Sequence, residues 1–238
     1  MKKAIIIGAS SGIGKELARI LAANNFKIGI AGRRLNLLKE LAIEKPDSFI
    51  VKSFDISVGA SIVKYLEEFV IELGGLDLLI ICSGIVISNE KLDFQLEKLM
   101  IDTNVSGFTI IADWAFNYFQ NQKSGHLVGV SSVGGLRGWR DFPAYNAGKA
   151  YQICYLEGLR NKAFHTGLPI VITDIRPGYV DTDLMTGVYK IWISPANKVA
   201  TQIYRAIRNR KKIAYVTRRW AIIAFLLKIV PNRFYERG

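Results

Sequence analysis

The residue types and spacings richest in chemistry are Ser132 and the run Tyr145-Asn146-Ala147-Gly148-Lys149. Tyr145 and Lys149 stand four apart, so on a helix they share one face. A free phenol titrates near about 10 and is a poor base at neutral pH. An ammonium beside it favours the phenolate, a tenfold change in that equilibrium corresponding to about 1.4 kcal/mol. Such a pair can exchange a proton with an oxygen held by a neighbouring hydroxyl, the part Ser132 would play. Tyr-x-x-x-Lys also arises by chance, and a serine can simply close a turn. It is the set, and not any one member, that points to proton transfer.

A second constellation lies at the start of the chain, in Gly8-Ala9-Ser10-Ser11-Gly12-Ile13-Gly14. Before it runs Lys3-Ala4-Ile5-Ile6-Ile7, the β-branched pattern of a buried parallel strand, and after it Lys15 to Ala22 carries apolar residues at helical spacing. Glycines where a strand hands over to a helix let backbone N–H groups reach a pyrophosphate, and the helix N-terminus adds favourable partial charge. Close helix packing is the other demand that such glycines answer. The G-x-x-x-G-x-G spacing differs from the G-x-G-x-x-G dinucleotide fingerprint.

The elements that must position these groups follow as strands alternating with helical patterns. Strand patterns recur at Phe26 to Gly32, Ser48 to Phe54, Leu76 to Ile81, Gly125 to Ser132, Pro169 to Ile175 and Lys212 to Thr217. With no Pro- or Ser-rich linker and no repeat, this predicts a single-domain Rossmann fold, an α/β doubly wound parallel sheet of about seven strands with helices on both faces. Residues 1–217 form the dinucleotide-binding and catalytic part, and 218–238 a basic, apolar C-terminal helix and tail of the same domain.

Taken together, the glycine turn, Ser132 and Tyr145-x-x-x-Lys149 resemble the short-chain dehydrogenase/reductase family over nearly the whole chain. The resemblance implies a nicotinamide-dependent oxidoreductase. In it Tyr145 gives the proton as hydride reaches a carbonyl, Ser132 holds the carbonyl oxygen, and Lys149 lowers the phenol. Asn104 matches the asparagine that places a water beside the lysine and completes a proton relay; as a bland alternative, Asn104 caps the following helix. The cofactor is expected on Gly8, Ser10, Ser11, Gly12, Ile13 and Gly14, on Asp55 and Ile56 at the adenine, and on Ser83 and Gly84. Tyr145, Lys149, Pro177, Gly178, Val180 and Thr182 complete the set, the last at the carboxamide. Asp55 reads equally as a surface turn carboxylate. Ile81-Cys82-Ser83-Gly84 departs from the family's Asn-Asn-Ala-Gly, a change expected to bear on local packing more than on chemistry.

Arg33-Arg34 ends the second strand where an acidic residue would hold a ribose 2′-hydroxyl. Arginine suits a 2′-phosphate, so NADP(H) is expected over NAD(H), unless the two arginines merely open a solvated helix. No metal is expected, since two histidines and two cysteines offer no ligand cluster. Cys82 and Cys154 read as reduced thiols of a cytoplasmic protein. The apolar run after Met1-Lys2-Lys3 is too short for a signal peptide.

The net charge of +12 is concentrated in residues 201–238, which hold ten Lys/Arg against Glu236 alone. Residues 219–230 would form a helix about 18 Å long, too short to span a bilayer. Apolar nearly all round, with Trp220 and basic flanks, it fits a membrane-surface contact through residues 205–233 on the inner face of a membrane. It fits equally a cover for the active site or a subunit interface. Nucleic acid is not an expected partner, because no recognition motif accompanies the charge. Leu184, Met185, Val188, Tyr189, Ile191, Trp192 and Ile193 predict an apolar substrate wall and hence a hydrophobic carbonyl compound or alcohol. A homodimer or homotetramer is expected. The contrasting readings are a non-catalytic NADP(H)-binding sensor and a membrane-surface scaffold.

Overall fold

The computed structural model describes residues 1–182 and 192–235. The expected substrate-wall residues Leu184, Met185, Val188, Tyr189 and Ile191 lie outside them. The elements run β1 (Lys2–Ile7), α1 (Gly12–Ala23), β2 (Phe26–Gly32), α2 (Leu35–Ile43), β3 (Phe49–Ser53), α3 (Ile62–Leu73), β4 (Leu78–Ile81) and α4 (Phe94–Ile101). A π-helical segment, Asp102–Gly107, then leads into α5 (Phe108–Gln122), followed by β5 (Gly125–Val130), α6 (Pro143–Thr166) and β6 (Ile170–Pro177). The last elements are β7 (Val180–Asp181), β8 (Ser194–Pro195), α7 (Ala196–Arg208), β9 (Ile213–Val216), α8 (Arg219–Ile229) and α9 (Asn232–Tyr235).

Seven strands pair in the order β3-β2-β1-β4-β5-β6-β9, every neighbour parallel, and β7 and β8 form a separate two-stranded ladder. The order reverses between β1 and β4, and at such a switch point a crevice opens at the carboxyl ends of the strands. All the central strands are closed off from water on both sides. On one face Leu17, Leu21, Leu38, Val199 and Ile203 from α1, α2 and α7 meet Ile6, Ile28 and Ile30. On the other, Leu66, Phe69, Ile111, Phe116 and Leu156 from α3, α5 and α6 meet Ile5, Ile7 and Leu79. That double covering is why the strands read as continuous apolar runs without alternation.

The expected seventh strand and C-terminal helix both form, at β9 and α8. The helix lies against the segment that follows β5: Trp220 and Ala224 pack with Val133, Leu136, Tyr215 and Ile223. Arg137 donates to the carbonyls of Leu227 and Val230 at 3.3 and 3.2 Å, closing the carbonyl end of α8, and its guanidinium covers the Tyr235 ring. The Tyr235 hydroxyl donates to Gly138 O at 2.7 Å. The tail is thus strapped to the segment that follows Ser132.

Phe69 is fully buried in the core under β1 and β4. Phe69→Ala should cost about 3–5 kcal/mol of stability in a urea unfolding titration, and a loss below about 1 kcal/mol would mean that the core closes over the gap.

Candidate active site

The carboxyl ends of β1, β2, β4, β5 and β6 frame a cleft of about 420 Å³. Every cofactor residue expected from the sequence lines it, and so do Ser132, Tyr145 and Lys149. Asn104 does not: it is fully buried behind the wall, and its neighbour Thr103 faces the cleft instead.

At one part of the cleft the chain leaves β1 at Gly8, with φ +90°, and enters α1 at Gly12, with φ +54°. A Cβ on Gly12 would sit 2.7 Å from Thr182 Cγ2, and one on Gly14 would run into the Gly8 carbonyl. The turn therefore closes only without side chains. The first turn of α1 has no acidic residue and no side-chain cap. Ser11 instead accepts from Arg34 Nη2 at 2.5 Å, and Ser10 Oγ accepts from the same guanidinium at 3.2 Å. The amide end of α1 is thereby left facing the cleft with Arg34 fixed over it, and Arg33 stands 3.8 Å from Asp55. Open helix amides with cations at the rim suit a phosphate-bearing ligand. Among the described residues, Ser83 Oγ and Thr103 Oγ1 are buried cleft-side hydroxyls without a hydrogen-bond partner, as groups awaiting a ligand would be. The residues present thus fit a dinucleotide.

Asp55 is the hub of its own turn, accepting from Ser57 N and Ser57 Oγ, both at 2.9 Å. The departure at Ile81-Cys82-Ser83-Gly84 is absorbed by backbone bonds, with Cys82 N and Ser83 N both donating to Ile7 O at 2.8 and 3.0 Å. Burial pushes the Cys82 thiol up to about 12, so it remains neutral. Gly84 admits Lys149: a Cβ there would lie 3.3 Å from Nζ and 3.2 Å from Asn104 Oδ1.

The residues expected to carry proton transfer come from two elements. Ser132 follows β5, where its Oγ accepts from Gly134 N at 3.0 Å, which leaves its own proton to be donated toward the Tyr145 oxygen. Tyr145 and Lys149 lie on the first turns of α6. Burial raises the Tyr145 phenol above its usual range, and the hydrogen bond with Ser132 pulls it partly back. Burial also lowers the Lys149 ammonium to about 8, against the raising influence of Cys82 and Asp174. Its Nζ lies 6.0 Å from the centre of the Tyr145 ring and donates to Val130 O and Gln152 Oε1, both at 3.0 Å.

Asn104 sits in the π-helical segment, the kind of irregular turn that helices reserve for functional positions. Its side chain is held at both ends, Oδ1 accepting from Ile85 N at 2.9 Å and Nδ2 donating to Ile85 O at 2.8 Å. It caps no helix. Between its carbonyl and Lys149 stands the side-chain amide of Gln152, whose Oε1 accepts from Lys149 Nζ at 3.0 Å and whose Nε2 donates to Asn104 O at 2.8 Å.

Three supporting groups carry no sequence signal that would single them out. Gln152 is one. Arg176 and Asp174 are the others: Arg176 Nε donates to Asp174 Oδ2 at 2.6 Å and Ser131 Oγ to Asp174 Oδ1 at 2.5 Å, all three nearly closed to solvent. Burial pushes the Asp174 carboxyl up, while Arg176 and Ser131 hold it down. This pair pins the corner that presents Ser132. At the start of α8 Arg219 donates to Trp192 O at 2.7 Å and Ser194 Oγ at 2.9 Å.

Comparison with known proteins agrees with this geometry. The family model described as short chain dehydrogenase matches residues 2–190. An uncharacterized oxidoreductase of Myxococcus xanthus is 33% identical over 188 residues, covering 77% of this chain and 74% of that protein. One of Staphylococcus epidermidis is 30% identical over 188 residues, covering 78% and 81%. Among solved structures, ElxO with NADP bound has a TM-score of 0.80 at 21% identity, covering 90% of this chain and 96% of its own. A short-chain dehydrogenase from Sphingobium yanoikuyae in complex with NADPH has a TM-score of 0.80 at 19% identity, covering 98% and 97%. Matched by that model over most of its length, and folded to bring Ser132, Tyr145 and Lys149 to one dinucleotide-shaped cleft, the chain belongs to the short-chain dehydrogenase family of NAD(P)-dependent oxidoreductases.

Proposed function

We propose that the protein interconverts a hydrophobic ketone or aldehyde and its alcohol, with NADP(H) preferred over NAD(H). The observation that carries this reading is that Ser132, Tyr145 and Lys149 line the same cleft as the Gly8–Gly14 turn and Arg34. Bound there, the nicotinamide would supply or accept the hydride. In the reductive direction Ser132, its oxygen already accepting from Gly134 N, donates a hydrogen bond to the carbonyl oxygen and keeps its proton. Tyr145, kept a phenol by burial, is the proton donor. The Lys149 ammonium favours the phenolate left behind. Apolar substrates are favoured because Ile85 and Val86 line the cleft that also holds Tyr145, with Ile85 packed against its ring.

The preference for a 2′-phosphate rests on Arg34, held over the glycine turn, and on Arg33 beside Asp55. The expected assembly partner is a second copy of the chain, as homodimer or homotetramer.

The C-terminal helix favours contact with an anionic lipid surface. Ile222, Phe225, Leu226 and Ile229 recur at helical spacing on the outer side of α8, 48–67% exposed. Arg218, Arg219, Lys228 and Arg233 are exposed around them. Apolar residues ringed by cations match the two attractions of an acidic membrane interface. Among the described residues no helix is long and apolar enough to cross a membrane, so the contact is peripheral.

Three measurements test these statements. NADPH oxidation across short- and long-chain aldehydes and ketones should fall about 10²–10⁴-fold in Tyr145→Phe. In the wild type it should decline as pH rises through about 8, where Lys149 loses its proton. Tight NADPH binding with no turnover on any carbonyl would defeat the reading. Replacing Arg33 and Arg34 together by Ala should raise the KM for NADPH roughly tenfold or more and leave that for NADH nearly unchanged; equal losses for both would remove the 2′-phosphate assignment. Finally, the protein should co-sediment with phosphatidylglycerol vesicles at low salt, less so at high salt, and not with phosphatidylcholine. Phe225→Glu with Ile229→Glu should abolish it. A change in oligomeric size without vesicle binding would assign the face to a second copy instead.

A further inference from the structure

Gln152 lies three residues after Lys149 on α6 and is fully buried. Both ends of its amide are bonded. Oε1 accepts from Lys149 Nζ at 3.0 Å, and Nε2 donates to Asn104 O at 2.8 Å. The amide has one permitted orientation, because an ammonium only donates and a carbonyl only accepts. Its far anchor is firm as well: the Asn104 side chain is tied at both ends to the Ile85 backbone, which fixes the carbonyl that Gln152 grips.

Lys149 has three N–H donors, and the structure commits two of them, to Val130 O on β5 and to Gln152. Two fixed hydrogens on a tetrahedral nitrogen set the direction of the third. Without Gln152 the ammonium would have, among the described residues, a single protein acceptor, Val130 O, and a four-carbon stem free to swing about it. Burying an ammonium in that condition is costly, and the group would shed its proton.

We infer that Gln152 is a positioning residue: by bridging Lys149 to the π-helical segment it keeps the lysine charged and directed along the wall it shares with Tyr145. This rests on the reading of Tyr145 and Lys149 as the proton-transfer pair. The charged and titratable groups that face Lys149 are Tyr145 on its own helix, Cys82 after β4, and Asp174 on β6 with Arg176 paired to it. The Cys82 thiol is neutral and the Asp174 carboxylate is shared with Arg176 and Ser131, so neither replaces a direct acceptor.

The test compares Gln152→Met, of similar length without the acceptor, with Gln152→Glu, which keeps an acceptor and adds a charge. Lys149 is titrated by NMR in cofactor-free protein labelled with ¹³C-lysine, its signal assigned by its loss in Lys149→Met, and thermal melts establish that each variant is folded. The midpoint should fall by about one pH unit in Gln152→Met and rise by at least as much in Gln152→Glu. The high-pH limb of NADPH-linked turnover should move in the same two directions, with kcat changing more than KM for NADPH. A side chain that only filled space would leave the Gln152→Met midpoint where it is in the wild type, since the added carboxylate of Gln152→Glu raises the lysine by its charge in either case, and that result overturns the inference. The NMR midpoints need no substrate, so they stand apart from the functional reading. That reading falls separately, if wild-type turnover is absent or survives Tyr145→Phe.

Discussion

A lysine ammonium held away from bulk water is the constraint around which this site is built. Lys149 is nearly inaccessible to solvent, and a charge in that position persists only if the protein supplies what water no longer does. The supply comes from several elements at once: the terminal carbonyl of β5, an amide from the next turn of α6, and the negative potential of Asp174 on β6. Each of these depends on strand register. Val130 and Ile175 are paired partners in the parallel ladder, and Asp174 pairs with Gly129. A slip of one residue would reverse the faces and remove both the carbonyl and the carboxylate. The two apolar cores above and below the sheet are what make that register unambiguous.

The same sheet edge solves a second electrostatic problem. The Gly8–Gly14 turn presents uncapped helix amides, and Arg34 reaches back across it to the hydroxyls of Ser10 and Ser11. Positive potential is thus gathered at the end of the cleft that the glycine turn forms. The phenol and ammonium stand at the other functional part, where Ser132 and Gly134 define the place of an oxygen. Separation of the two regions along one edge follows from chain order. The glycine turn follows the first strand, and the serine follows the fifth, on the far side of the switch point between β1 and β4.

Much of this is legible in the residues because both motifs are local. Strand, glycine turn and helix are contiguous, and Tyr145 and Lys149 are four apart on one helix, so period and spacing locate them without tertiary knowledge. Strand ends are less sharp: β5 stops at Val130, two residues before the expected end, since Ser131 and Ser132 turn away to bond Ile175 and Gly134. Long-range partners are illegible. Nothing in the pattern of Gln152 differs from any polar residue on a helix, and its two bonds join segments 48 residues apart at Asn104. Asp174 and Arg176 sit on alternate positions of a strand that reads as apolar, and their pairing is evident only once the strand is seen to end inside the protein. Asn104 stands out only through a resemblance, and its place behind the wall depends on the π-helical turn, which periodicity does not reveal.

The C-terminal helix illustrates how structure divides what sequence leaves undivided. As a sequence, Trp220 to Ile229 is apolar on every side and fits three different fates. Folded, it acquires an inside and an outside: Trp220 and Ala224 are buried against Val133, while Ile222, Phe225 and Ile229 stay more than half exposed. The inner face cannot be altered without disturbing the segment that carries Ser132, because Arg137 in that segment closes the helix end and Tyr235 ties down Gly138. The outer face has no such obligation within the described residues. A helix anchored this close to Ser132 on one side, and apolar between cations on the other, would couple whatever surface it meets to the segment that carries Ser132. For a substrate that partitions into lipid, the distance between its reservoir and the reacting oxygen would then be set by the thickness of a single helix, about 10 Å.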